Sequence, residues 1–524
     1  MSSLIDEIAS TYDDTPYMSY AFHQTAPEHL RAVAHLFGLD TPVPGRARVL
    51  ELGCAAGGNL IPFAVRYPDA EVVGIDISSV QIAAGQRVID AMKLENMRLI
   101  HGSITEIGED LGQFDYVIGH GVYSWVPSDV REAVLRVCRE RLTPRGVALI
   151  SYNTYPGWKA KEIVRDAMLL RGGTRSTPEE KLSYARGMVN FLHDMSTEGS
   201  VLKRVMDDNI DTIRHGDTHY LMHEFMELCN APCYFRDFLA AAQMHELAYL
   251  AEANVSLMFA SNYGSRIAEP LLRECAGQQQ VLEQLLDFLS NRTFRQTLLV
   301  HAARSNDVRY GLDHQRIASL HVAGSFYPTN AKQSHWRHAK HGDLDTASEV
   351  ERQVVRALNR AWPSTVPVAQ LLIREDATAL SGDDCQVVLK LVEQMIISNQ
   401  LRFRREPLVC ASEPSNYPCA IAGVRALFNE TLNHQAPIGL FNQWHENLPR
   451  LGAVEAALLP LLDGTRSVDA LVKAMQDLAA NGQLRFKHED SFLESPEAIA
   501  IAAEDHTGRV LQWMAQTALL EQTA

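Results

Sequence analysis

The string Glu51-Leu52-Gly53-Cys54-Ala55-Ala56-Gly57-Gly58-Asn59 lies between an apolar run and a segment that reads as the start of a helix. Small residues at 53, 55, 57 and 58 let a backbone turn tightly and approach a ligand closely. The helix behind them offers free N–H groups and the positive end of its dipole. Asp76 follows Gly53 by 23 residues and ends the β-branched run Glu71–Ile77. A carboxylate at such a strand end accepts hydrogen bonds from ribose hydroxyls. Its alternative use is a helix cap, which Ser78 can supply instead. The chemistry indicated is the binding of a nucleoside cofactor. The dinucleotide pattern G-x-G-x-x-G fits poorly, because it needs glycine where Ala55 stands.

The spacing Glu51-x-Gly53-x-x-x-Gly57 resembles the motif of class I methyltransferases, in which the amino-acid end of S-adenosylmethionine occupies the turn. That resemblance implies cofactor contacts from Glu51, Gly53, Cys54, Ala55, Gly57, Asn59, Asp76, Ile77, Ser103, Ile104 and His120, with S-adenosylhomocysteine as product. Gly57→Val should then clash with the ligand. Ser103 stands where many of these enzymes place an acidic residue near the adenine amine, so adenine recognition is expected from the backbone and Ser103. NAD is the alternative cofactor. Methyl transfer is an in-line displacement, so the protein mainly aligns the acceptor and excludes water. Two further strings, Gly119-His120-Gly121-Val122-Tyr123-Ser124-Trp125-Val126-Pro127 and Ser151-Tyr152-Asn153-Thr154-Tyr155-Pro156-Gly157-Trp158, fall where an acceptor must meet the methyl group. Aromatic faces suit a sulfonium or an ammonium, and an apolar channel helps a lysine lose its proton. Tyr123, Trp125, Tyr152, Tyr155 and Trp158 are the candidates for that channel, with His120 and Asn153 orienting the amine. Half of these aromatics are expected to be structural anchors.

Elements that would position these residues alternate regularly over 45–152. Strands are expected at Arg48–Leu52, Glu71–Ile77, Met97–Ile104, Phe114–Ile118 and Gly146–Tyr152, with helices between them and Ser78 or Ser79 capping the second. This order predicts an α/β, doubly wound (Rossmann-like) parallel sheet with ligands beyond its carboxyl ends. Residues 1–44 are read as N-terminal cap helices and 45–260 as the catalytic domain, the sheet being completed near Leu247–Leu257. Within it, 160–225 reads as a helical insertion placed as a lid. Residues 261–345 read as a helical middle region. Residues 346–524 read as winged-helix-like units, with a faint repeat between the runs from Val350 and Val454.

A chain of 524 residues is expected to form several domains. Net charge is −16, which argues against a general nucleic-acid binder. From position 346 onward 22 acidic residues face 15 basic ones, so this region is expected to bind protein rather than DNA. Arg402, Arg404 and Arg405 are the best argument for DNA, and are read as a solvated strand edge. Eight scattered cysteines give no zinc pattern. The evenly spaced His335, His338 and His341 lack a further ligand, so no metal is expected. No signal-peptide order or membrane-spanning run is seen, and a cytoplasmic location without membrane insertion is the expectation.

The chain also resembles methyltransferases that carry a methyltransferase regulatory domain, among them the rickettsial outer-membrane-protein lysine methyltransferases. The likeness rests on Tyr12, Pro16-Tyr17, Pro27, ELGCAAGGN, HGVYSWVP, SYNTYPGW, Asn230-Ala231-Pro232 with Tyr234-Phe235, Tyr249 to Ala253, and Asn291 to Leu299. It implies lysine methylation of a protein substrate held by the C-terminal units. Methylation of a small metabolite and a cofactor-sensing interaction protein remain the alternatives. Removing residues 346–524 should leave cofactor binding intact.

Overall fold

A computed structural model describes residues 7, 12–13, 17–175, 177–374, 376–488 and 491–522. Its centre is a seven-stranded sheet built from β1 (Arg48–Leu52), β2 (Glu71–Asp76), β3 (Met97–His101), β4 (Phe114–Gly119), β5 (Leu142–Asn153), β6 (Leu247–Glu252) and β7 (Phe294–His301). The order is β3-β2-β1-β4-β5-β7-β6, with β1 to β5 parallel and β7 antiparallel to both neighbours. Nearly continuous apolar runs such as Val49-Leu50 and Val72-Val73 are buried on both faces, as parallel strands require. Ser78 caps the Ser79–Met92 helix by accepting the Gln81 amide.

The doubly wound expectation holds, and β6 closes the sheet edge near the expected place. The segment 261–345 differs from its helical reading. It contributes β7, which inserts between β5 and β6, and a three-stranded meander over Phe326–Pro328, His335–His338 and Asp343–Asp345. The histidines of that stretch are used locally. His335 bonds Asp345, and His338 stacks on His341 at 5.0 Å.

Among the described residues of 17–44, the α-helix is confined to Pro27–Leu36. Residues 1–6, 8–11 and 14–16, Pro16 among them, lie outside the described residues. The helix Pro27–Leu36 is almost wholly buried, lying against the sheet and the strand Arg402–Arg404. The insertion after β5 consists of helices Gly157–Gly172, Pro178–Met195, Val201–His215 and Thr218–Phe225. It has its own apolar core around Met168, Val189, Met206 and Phe225.

The last third contains two helical units. The first combines Glu349–Ala361, Val368–Leu371 and Gly382–Ile397 with a small sheet in which His321–Ala323 lies between Val366–Pro367 and Arg402–Arg404. The second combines Val424–His434, Ala453–Leu458 and Val468–Ala480 with the hairpin Lys487–His488/Ser491–Phe492 and the helix Pro496–Gln516. The arginines read as a solvated strand edge are instead interior fasteners. Arg404 is buried and binds Glu28 at 3.1 Å. Arg402 pairs with Glu446 and lies over Trp362 and Trp444. Glu406 pairs with Arg31. Arg405 is half-buried and reaches the His35 ring and Ser319, so the helix Pro27–Leu36 supplies partners to Arg404 and Arg405, while those of Arg402 come from the C-terminal units. One continuous apolar core accordingly runs from Ala21 to Leu520.

Candidate functional site

A cavity of about 260 Å³ opens at the carboxyl ends of β1, β2 and β4. The backbone turns out of β1 at Gly53 with φ +71°, and a Cβ there would stand 2.3 Å from the Val122 side chain. Ala55 follows at φ 49°. Asp76 fixes this turn, accepting the Ala55 amide at 2.7 Å and the Ser78 amide at 2.9 Å. Each carboxylate oxygen retains capacity for a second donor. Burial raises the Asp76 pKa, against the lowering effect of the amides of Ser78, Ala55 and Ile77.

Behind the turn, Glu51 accepts from the Asn59 side-chain amide at 2.8 Å, and its second oxygen is buried with no partner among the described residues. Burial pushes its carboxyl up to about 8, with nearby Asp76 adding to the rise. Asn59 is itself held tightly. Its Oδ1 accepts from the Phe22 amide, the Thr25 hydroxyl and the His445 ring at 3.1, 2.9 and 3.2 Å. His120 lies against Phe22 and Phe294. Burial pulls its pKa down to about 4, so the ring is neutral at physiological pH, and its Nδ1 is buried with no partner among the described residues.

Of the expected cofactor residues, Glu51, Gly53, Cys54, Ala55, Asn59, Asp76, Ile77, Ser103, Ile104 and His120 line the cavity. Gly57 does not. Its φ is +80°, and a Cβ would meet Met97 at 2.7 Å and Leu99 at 3.3 Å. The clash expected of Gly57→Val is therefore with β3 and not with a ligand. Ser103 caps a short turn through the Thr105 amide.

Of the seven residues proposed for the acceptor channel, His120 and Trp125 line the cavity. The other five stand outside its lining. Tyr152 is stacked on Phe238 and bonded to Thr297, and Tyr123 meets both rings edge-on. Asn153 bonds Asn230, and Tyr155 bonds Glu162. Trp158 is buried behind Trp125, the two rings 6.1 Å apart.

Further lining comes from the N-terminal segment and the helical insertion, where the sequence had named no site residue. Tyr12, Tyr17, Ser19, Tyr20 and Phe22 come from the N-terminal segment, and Tyr220, His223 and Glu224 from the helical insertion, which thus does lie over the site. Glu224 pairs with Lys161 at 2.9 Å. The available signal was the density of aromatic residues over 12–22 and the acid-histidine string His223-Glu224 with Glu227. The orphaned Glu51 oxygen, the tight turn at Gly53 and the free capacity of Asp76 fit a ligand with an ammonium group at one end and a ribose at the other.

Comparison with known proteins gives the same picture. Residues 49–146 match a family model described as a methyltransferase domain, residues 217–301 one described as a predicted methyltransferase regulatory domain, and residues 417–519 one described as a PKMT C-terminal winged helix domain. An uncharacterized protein of Rickettsia prowazekii is 30% identical over 97% of this chain and 93% of its own length. A second from that organism is 36% identical over 44% of this chain and 94% of its own. Among solved structures, PKMT2 from Rickettsia typhi in complex with AdoHcy superposes with a TM-score of 0.86, at 24% identity, covering 96% of this chain and all of that one.

Proposed function

This chain belongs to the S-adenosylmethionine-dependent methyltransferases that join a methyltransferase regulatory domain and a PKMT winged helix to a class I core, and we propose that it methylates lysine side chains of proteins. The observation that carries the proposal is the aromatic part of the cavity lining. Tyr17, Tyr20, Trp125 and Tyr220 contribute rings to it. Such a lining attracts a cationic side chain and strips it of water. The structural likeness to PKMT2 and the acidic C-terminal third support a basic polypeptide as substrate.

The residues divide the work as follows. Gly53, Cys54 and Ala55 present backbone to the amino-acid end of the cofactor, Asp76 takes the ribose hydroxyls, and Glu51 offsets positive charge at the turn. Ile77, Ser103 and Ile104 border the base. S-Adenosylmethionine supplies the methyl group on a sulfonium. Neutral His120 adds no repulsion to that cation and offers a lone pair. Trp158 backs the Trp125 ring, while Tyr123, Tyr152, Asn153 and Tyr155 are structural anchors outside the cavity.

Incubation of a cell lysate with isotopically labelled cofactor, followed by mass spectrometry of intact and digested proteins, tests this reading. Label on lysine side chains is expected. Label confined to small molecules, or cofactor binding with no transfer, would overturn it.

A further inference from the structure

The helical insertion brings an acid–histidine pair to the cavity that the cofactor does not require. His223 and Glu227 are one turn apart, and His223 Nδ1 lies 2.6 Å from Glu227 Oε1. Both side chains are more than nine-tenths buried. A carboxylate oxygen only accepts, so the proton of a neutral ring resides on Nδ1 and a lone pair remains on Nε2. That Nε2 is buried with no partner among the described residues, on a residue that lines the cavity. A buried acceptor left open in this way is a costly arrangement unless a ligand completes it.

The pair is held rigidly. The Tyr12 ring stacks on His223 with an interplanar angle of 7°, and Tyr17 meets it edge-on at 5.1 Å. Arg165, from the first helix of the insertion, donates to the carbonyl of Glu227 at 2.5 Å. The groups facing the imidazole are thus Glu227 on its own segment, Tyr12 and Tyr17 on the N-terminal segment, and Arg165 behind the pair. This is the geometry of a general base whose tautomer is set by a carboxylate.

We infer that His223 is the base that removes the proton from the acceptor ammonium, with Glu227 as its positioning residue; the inference rests on the lysine reading above. The ammonium proton passes to Nε2, and the nitrogen lone pair so freed forms the new N–C bond to the methyl carbon. The C–S bond breaks, and its electron pair stays on sulfur as the neutral thioether. The imidazolium is balanced by the Glu227 carboxylate and then releases its proton to water.

Two measurements on the full chain test this. In ¹⁵N-histidine NMR of the wild type, His223 should show a protonated Nδ1 and an unprotonated Nε2, and Glu227→Gln should disturb that pattern. A proton resident on Nε2 would overturn the inference whatever the substrate. In steady-state assays on a labelled protein acceptor, His223→Gln should lower kcat by about 10²–10⁴-fold. The acidic limb of its pH–rate profile should vanish, and cofactor affinity by calorimetry should stay within about threefold. Glu227→Gln should keep the limb but shift it. An unchanged limb in a His223→Gln enzyme that still methylates lysine sinks the base and leaves the lysine reading standing. A wild type that labels no lysine sinks that reading, and the base with it. Calorimetric binding of the cofactor by each variant confirms that it is folded.

Discussion

Single residues decide how the turn at Gly53 holds its ligand. Asp76 is both a strut for that turn and the ribose acceptor, so Asp76→Asn should weaken S-adenosylmethionine by about ten- to a hundredfold, the worth of one or two charged hydrogen bonds. Calorimetric titration reads this directly, and unchanged affinity would exclude Asp76 from the site. Glu51 gives a pH signature. Its folded pKa of about 8 lies above the unfolded carboxylate value. The free enzyme thus keeps a proton there that the unfolded chain has lost, and this residue makes stability fall as pH rises from about 4.5 to 8. A cationic ligand end favours the carboxylate, so binding should release a proton below pH 8. Affinity should rise by up to about tenfold per pH unit and level off above it. Calorimetry in buffers of differing ionisation enthalpy counts that proton, and Glu51→Gln should abolish the count. Most of this wall was legible in the sequence, because residue type and strand end together fix the contacts. Gly57 was misread because the motif string does not say which way a Cβ would point; its φ of +80° turns that direction toward Met97. The aromatic strings HGVYSWVP and SYNTYPGW were found as strings, but alternation along β5 and the turn after β4 bury Tyr123 and Tyr152 against Phe238.

Among the elements, β7 is the most consequential one that the sequence did not yield. Phe294–His301 follows its first residue with Arg-Gln-Thr before the apolar Leu298-Leu299-Val300, so its first half does not read as a core strand. Its partners, β5 and β6, are set by pairing across long stretches of chain, which local periodicity cannot express. The structure explains the arginine. Arg295 is fully buried and reaches Glu252 at 2.6 Å, Asp287 at 2.8 Å and Glu283 at 3.2 Å, while Arg292 stands 3.2 Å from Asp287. This network fastens the Gln279–Ser290 helix to β6 and β7. Arg295→Ala would leave Glu252 without its cation and Glu283 and Asp287 with Arg292 alone, a loss that costs about 3–5 kcal/mol. A thermal melt should show the loss, and a shift of only a degree or two would refute this role for the network. The lid, by contrast, was legible as a helical insertion. What escaped reading was its chemistry, since His223 and Glu227 look like surface residues until Tyr12 and Tyr17 close over them.

On the scale of the whole molecule, the C-terminal units were read as an appended substrate-binding region that could be removed without harm to the cofactor site. The structure contradicts that independence. Ser19 exchanges backbone hydrogen bonds with Pro437 and Gly439, and its hydroxyl accepts the Gly58 amide at the cofactor turn. Glu28 holds Arg404, and His445 holds Asn59. Deletion of residues 346–524 should therefore expose apolar core, lower the melting temperature and weaken the cofactor, as calorimetry and a thermal melt can show. Full retention of cofactor affinity in the truncated protein would refute this account of the interface. The reason the sequence could not supply it is that these partners lie more than 370 residues apart. The His445–Asn59–Glu51 contact chain has one more consequence. It joins the winged-helix units to the carboxylate that offsets the charge of the cofactor, so a polypeptide that displaces His445 must alter cofactor affinity. By thermodynamic linkage the cofactor must then alter the affinity for that polypeptide by the same factor. Part of the coupling between substrate and cofactor would in that case run through a single imidazole, and His445→Ala should reduce it to what their contact in the shared cavity supplies.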